Sequence, residues 1–427
     1  MASLYAKWTL EKYFYLMSRL YLLKARSLIR KSKDALVQIQ LKRLKELIYY
    51  AYEYSPFYHK LFKSHQIHPS FIRSLNDLAK LPLVSKEMFR EAGLAGIATT
   101  DIKRCILHRT SGTTGIPLEL AYTMKDECNI GALWFRPFQE NAFSRKDRLL
   151  RITDPLHFYK KRSRNLYEVS AWTEPKVLLR YIISIKPNVI ESWPTSLYLI
   201  AKEAIAMRLQ IPVKLIFTYN EILDEATRGL LRNVFLTDPR DMYGAEEAGC
   251  IAWQCERGNY HLNIDGLVVE FLRDGEPVSE NERGEIVITN LLLYGTPVIR
   301  YRLGDIGIPL GIDQECKCGN VLPLMKIIEG KKLDFIILPS GKEISPHIPK
   351  VILGRTPHIK MFQVIQDSIN HISVQIVPSK NFNETILNSL EKQLNEAFCK
   401  EVKVDIKLVD KIVYTSGFRA VRSLVSS

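Results

Sequence analysis

Residues 108–120 read HRTSGTTGIPLEL. Thr110, Ser111, Thr113 and Thr114 set four hydroxyls around Gly112 and Gly115. Glycine lets backbone N–H groups converge on an anion with no Cβ in the way, so the composition suits a phosphate loop. The commonest such loop ends in Gly-Lys-Ser/Thr, whereas Gly115 is followed here by Ile116 and Pro117. Taken alone, the stretch also reads as an ordinary polar connection between two strands.

Around it lies a chain of 427 residues, 46% hydrophobic, which exceeds what one core supports and predicts two or three domains. Lys and Arg number 60 against 46 Asp and Glu, a net charge of +14. That excess favours polyanionic partners, among them nucleotides, CoA and anionic membranes. Nucleic acid is not expected, because no groove-reading module or aromatic RNA-binding signature accompanies the charge. No run of 18 apolar residues and no apolar segment with a cleavage site is present, so a cytoplasmic protein is expected. Seven cysteines, an odd number, argue against a disulfide framework.

Residues 1–33 carry eight Lys or Arg and one acid, Glu11, interleaved with aromatic and aliphatic residues, as in a basic amphipathic helix. Such a helix can lie on an anionic membrane surface or dock its aromatic stripe on the protein's own body. Residues 36–54 continue as helix, with Leu41, Leu44, Leu47, Ile48 and Ala51 on one face. Beyond the glycine-rich loop, short apolar runs alternate with helical ones. Strands are predicted at 148–154, 187–193 and 213–219, and helices at 176–186, 196–207 and 224–235. This is α/β with crossover connections. Ligands in such sheets sit outside the carboxyl ends of strands, which places Thr218, Asn220 and Glu221 at the mouth of a site. Glu221 equally suits a helix-entry carboxylate. Aromatic residues near Trp134–Phe138 and Trp193–Thr195 are candidate walls of an acyl pocket or plain core. From about residue 335 the pattern changes to two strands about a DSIN turn, a helix aligning Ile386, Leu387, Leu390, Leu394 and Phe398, and the alternating VKVDIKLV. A small α+β domain is predicted there.

Cys316-Lys-Cys318-Gly makes a tight thiolate knuckle, and CERGNYHLN supplies Cys255 and His261. Together they compose a Cys₃His set suited to structural zinc, with Cys250 in reserve. Reduced cysteines clustered by chance are the alternative. Cys105, Cys128 and Cys399 read as small apolar residues.

The order TSGTTGxP resembles the phosphate loop of the adenylate-forming (acyl-CoA ligase) superfamily. DMYGAEEAG, at 241–249, resembles that family's YGxTE element, and VIRYRLGDIG, at 298–307, its Y-R-x-G-D element. SPFY with IRSLNDLAKLPLVSKEMFREAG resembles the opening of phenylacetate–CoA ligase-like proteins, particularly members associated with capsular polysaccharide synthesis. EGKKLD, at 329–334, is similar to the GRxxD hinge, with Lys331 in place of the usual Arg. The resemblance implies a large N-terminal adenylate-forming domain, 1–330 with a helical extension 1–65, and a C-terminal lid, 331–427, that swings about Asp334. It implies ATP or AMP, magnesium and CoA as ligands, with a carboxylic acid as substrate. Thr110 to Gly115 would grip phosphates, with Thr113 among the catalytic groups. Tyr243 and Gly244 would lie against adenine, Asp305 and Lys331 would hold ribose, and Glu247 would coordinate magnesium. Glu246 stands where the family has a hydroxyl, and a second carboxylate beside phosphate needs a compensating cation.

The C-terminal IVYTSGFRAVRS, 412–423, is similar to the lid segment TSGKFR, whose lysine bridges the acyl carboxylate and α-phosphate. Gly417 is followed directly by Phe418, so that lysine is missing, and Arg419 is the nearest candidate cation. The expected activity is ATP-dependent acyl-adenylate formation with transfer to CoA or another acceptor. A nucleotide-binding or acyl-transfer protein of envelope polysaccharide assembly, with impaired adenylation, is the alternative.

Overall fold

The computed structural model describes residues 17, 20–109, 118–153, 165–171, 173–311, 314–329, 336–344, 348–349, 352–353, 356–412 and 420–425. Most of the basic N-terminal stretch lies outside these. The chain divides into two compact units, one of residues 1–143 and 242–327, the other of residues 144–241 and 328–427.

In the first unit the helix Lys33–Tyr54 starts where the Ser32 hydroxyl accepts from the Ala35 N–H, and it buries Leu36, Gln40, Leu44, Leu47, Ile48 and Ala51. The predicted apolar face holds, except that Leu41 is only half-buried and Gln40 takes a core position, its amide donating to the Leu267 carbonyl at 2.7 Å. Pro56–Ser64 and Lys86–Ile97 follow as helices, and Ser85 caps the second through the Met88 N–H. Met124–Glu140 opens with a capping box in which Thr123 and Asp126 satisfy each other's backbone N–H groups. These helices accompany an antiparallel sheet ordered 276–277, 267–273, 284–290, 301–309, 324–329, 260–262, 249–254 and 242–245. Arg136, in the C-terminal part of the 124–140 helix and fully buried, grips Asp265 through two bonds of 2.7 and 2.8 Å. A buried guanidinium needs such a forked partner to offset its lost hydration.

The second unit contains the predicted crossover α/β layer. Strands Leu166–Ser170, Leu149–Thr153, Val189–Ser192 and Leu215–Thr218 lie side by side and parallel. Helices Pro175–Ile185, Pro194–Ala206 and Glu225–Phe235 connect or follow them. Strand Arg240–Ala245 begins here, Arg240 and Asp241 pairing parallel with Phe217 and Thr218, while its remaining residues pair antiparallel with 249–253. The parallel pattern thus belongs to residues 149–241, and the large antiparallel ladder of 249–329 follows it. C-terminal strands Lys403–Leu408, His371–Pro378, Ile359–Ser368 and Val421–Ser423 form a separate four-stranded sheet in that order. The helix Glu384–Ala397 contributes Leu390 and Leu394, with Phe398 just beyond it, to a core shared with Val364, Ile372, Val374 and Ile376. This is the α+β domain expected from the sequence.

Candidate active site

Strands Ile106–Arg109 and Glu119–Tyr122 pair antiparallel, Arg109 opposite Glu119, so the glycine-rich stretch connects two neighbouring strands. Thr110, Ser111, Gly112, Thr113, Thr114 and Gly115 themselves lie outside the described residues, as do Lys331, Asp334, Gly417, Phe418 and Arg419.

The other two motifs are brought together. A β-bulge falls between Tyr243 and Gly244, where the ladder to the 249–254 strand shifts register. A Cβ on Gly244 would come within 2.5 Å of the Trp134 ring and 2.6 Å of the Gly249 carbonyl, so only glycine permits this approach. The Tyr243 hydroxyl donates to Asp305 Oδ2 at 2.8 Å, and both residues are buried. Beside them the Tyr301 hydroxyl donates to Glu247 Oε1 at 3.1 Å, while the Glu247 carbonyl accepts from Asn290 Nδ2. Burial, then the neighbouring carboxylates, push both phenols well above their ordinary pKa, so each remains a neutral donor.

The 301–309 strand is fixed from behind by Arg300. Its guanidinium donates to Glu270 at 2.9 and 3.2 Å and to the carbonyls of Ala79 and Leu81. Val84 N–H bonds the Arg300 carbonyl and Arg302 N–H bonds the Val84 carbonyl, both at 2.9 Å. The LPLVSK stretch therefore holds the third motif in place, a relation that reading the two stretches separately does not reveal.

Glu246 turns to His108. The ring's Nδ1 lies 3.3 Å from Glu246 Oε2, and its Nε2 lies 2.9 Å from Glu127 Oε2 on the 124–140 helix. The compensating cation beside Glu246 is thus a histidine two residues ahead of the glycine-rich loop. His108 opens the HRTSGTTGIPLEL stretch, but nothing local marks it, since both of its partners are remote in the chain.

At the carboxyl ends of the parallel strands, Thr218 donates to Asp241 at 2.5 Å. Glu221 accepts from the Thr195 N–H at 2.9 Å, at the start of the 194–206 helix. The helix that follows Glu221 has its own cap in Asp224, which accepts from Thr227. Trp193 and Phe138 are core, whereas Trp134 and Phe135 are half-buried.

Cys255, His261, Cys316 and Cys318 converge, their ligand atoms all within 4.8 Å of one another. Cys255 Sγ lies 3.7 Å from Cys316 Sγ, and Cys318 Sγ lies 3.3 Å from His261 Nε2. Tetrahedral zinc with bonds of about 2.3 Å to sulfur sets neighbouring sulfurs about 3.7 Å apart. Burial pushes His261 down to about 4, so its ring is neutral, and Nδ1 lies 3.3 Å from the Leu322 carbonyl, leaving Nε2 facing the thiols. Burial opposes ionisation of Cys316, but the Cys318 N–H and the Asn259 amide outweigh it and lower its pKa. Cys250 turns its thiol to the Ala252 carbonyl instead, outside the group.

Residues 336–421 match the family model described as the CapK C-terminal domain. Phenylacetate-coenzyme A ligase of Aromatoleum evansii is 26% identical over 88% of this chain and 88% of its own length. Protein CapK of Staphylococcus aureus is 22% identical over 91% of this chain and 89% of its own. Among solved structures, 2-hydroxyisobutyryl-CoA ligase in the postadenylation state, in complex with R3-HIB-AMP, superposes with a TM-score of 0.75 at 18% identity, covering 93% of this chain and 90% of that one.

Proposed function

We propose that the chain belongs to the adenylate-forming superfamily, in its phenylacetate–CoA ligase-like branch, and that it activates a carboxylic acid with ATP and passes the acyl group to CoA or another acceptor. In the first half-reaction a carboxylate oxygen attacks the α-phosphorus and pyrophosphate leaves. In the second a thiolate attacks the acyl carbon and AMP leaves. The observation that carries this reading is the 2.8 Å bond between Tyr243 and Asp305, which joins the candidate adenine-stacking ring to the candidate ribose acid. A carboxylate accepts two hydrogen bonds from a vicinal diol at once.

Glu247, oriented by Tyr301, would hold magnesium, a cation that prefers carboxylate oxygen; the metal would supply charge neutralisation at the phosphates. The loop of Thr110 to Gly115 would bind the β- and γ-phosphates by hydroxyls and backbone N–H groups. Residues 1–330 would form the catalytic body and 331–427 the lid. Cys255, His261, Cys316 and Cys318 would hold one structural zinc, with no open position for chemistry.

Among the described residues no helix is long and apolar enough to cross a membrane. A cytoplasmic enzyme suits ATP and CoA, and contact of the basic residues 1–33 with the inner membrane face belongs to the second reading. In that reading the chain serves capsular polysaccharide assembly with impaired adenylation. The direct Gly417–Phe418 junction favours it, since no lysine stands there.

ATP-dependent hydroxamate formation across a panel of carboxylates, with calorimetry of ATP binding, tests both. Turnover of one acid supports the first reading. ATP binding without turnover of any acid supports the second, and no binding at millimolar ATP removes both.

A further inference from the structure

His108 sits between two carboxylates contributed by separate elements. Glu127 Oε2 lies 2.9 Å from Nε2, and Glu246 Oε2 lies 3.3 Å from Nδ1. Carboxylates only accept, so engaging both ring nitrogens this way requires both to carry protons, which is the imidazolium. The Tyr122 ring packs against the imidazole at 4.2 Å between centroids, an arrangement that further favours a cation. The Tyr122 hydroxyl donates to the backbone carbonyl of Glu246, tying that residue's main chain to the same cluster. Glu246 in turn directly precedes Glu247, the candidate magnesium acid.

We propose that His108 is a positioning residue of the nucleotide site: anchored by Glu127, its imidazolium holds and offsets the Glu246 carboxylate, so that a nucleoside polyphosphate can bind beside Glu247. The inference rests on the nucleotide-binding reading above and adds to it the group that tolerates a second acid next to the metal acid. Like charges juxtaposed across a binding site repel, and the positive charge of protonated His108 offsets the negative charge of the Glu246 carboxylate. Burial works against that proton, but the hydrogen bonds and charges of Glu127 and Glu246 outweigh it and raise the histidine to about 9. It is therefore charged at neutral pH.

The test is a double-mutant cycle read by calorimetry with magnesium-ATP and with adenosine, which carries no phosphate. His108→Gln is expected to weaken ATP about tenfold and adenosine by less than about twofold. His108→Gln/Glu246→Gln is expected to recover ATP affinity to within about threefold of Glu246→Gln alone. His108→Asn, measured in parallel, covers the case in which the glutamine variant does not fold. Equal losses for ATP and adenosine, or a double variant as weak as His108→Gln, would make His108 a merely structural residue and overturn the proposal. Wild-type protein that binds ATP, with all variants equal to it, overturns the proposal alone. Wild-type protein that binds no ATP overturns the underlying nucleotide reading along with it.

Discussion

Tyr243 donates its hydroxyl to Asp305 at 2.8 Å, so the aromatic residue of one motif sets the orientation of the acid of another. Tyr243→Phe keeps the ring and removes that donor. A hydrogen bond to a charged acceptor is worth about 1.5–3 kcal/mol, part of which the bound ribose would replace. The expected result is AMP affinity lowered about three- to tenfold, measured by calorimetry. Asp305→Asn should in addition reduce the preference for AMP over its 2′,3′-dideoxy analogue, because the amide accepts less strongly from the diol.

Arg300 secures the third motif through Glu270 and two backbone carbonyls. Arg300→Met strands a largely buried carboxylate, and breaking a buried pair from one side costs about 3–5 kcal/mol. Urea unfolding should show a loss of that size. Arg300→Met/Glu270→Leu should recover most of it, and a double variant no better than the single would show that the carbonyl contacts dominate.

His108 links stability to pH. Its folded pKa, about 9, is above the ordinary value of 6.5. A raised folded pKa contributes stability that is full below the unfolded value and is lost as pH climbs through the folded one. Thermal melts between pH 6 and 9.5 should therefore show a decline in wild type that His108→Gln lacks. Equal declines in both proteins would contradict the ion-pair geometry.

Purified without chelators, the protein should carry one equivalent of zinc, bound by Cys255, His261, Cys316 and Cys318. Cys316→Ser should lose it and melt earlier, because the metal would tie the 255–261 turn to the 316–318 turn. Less than about a tenth of an equivalent in wild type, with no change on Cys316→Ser, would leave the group as reduced thiols.

The direct Gly417–Phe418 junction predicts weak adenylation with nucleotide binding intact. A cation aimed at developing charge is worth about 10²–10³ in rate. Inserting a lysine between Gly417 and Phe418 should therefore raise pyrophosphate release. Ordinary ligase rates in wild type, unchanged by Arg419→Ala, would show that no cation is needed at that position.

Sequence alone determined what depends on neighbours along the chain. The apolar period of residues 36–54, the alternation of strands and helices from 148 to 235 and the α+β pattern after 335 all follow from side-chain spacing. The Cys-Lys-Cys-Gly knuckle and the three motifs are local in the same sense, so they too were legible. Tertiary structure decided which distant residues meet. It placed His108 between Glu127 and Glu246, Tyr301 on Glu247, Arg136 on Asp265, and Glu221 at the entry of the 194–206 helix rather than at the one that follows it. Spacing along a strand says which face a side chain takes, but the partner across that face comes from another segment. The stability of a buried charge depends on that partner and on lost hydration, and both arise only when the chain closes.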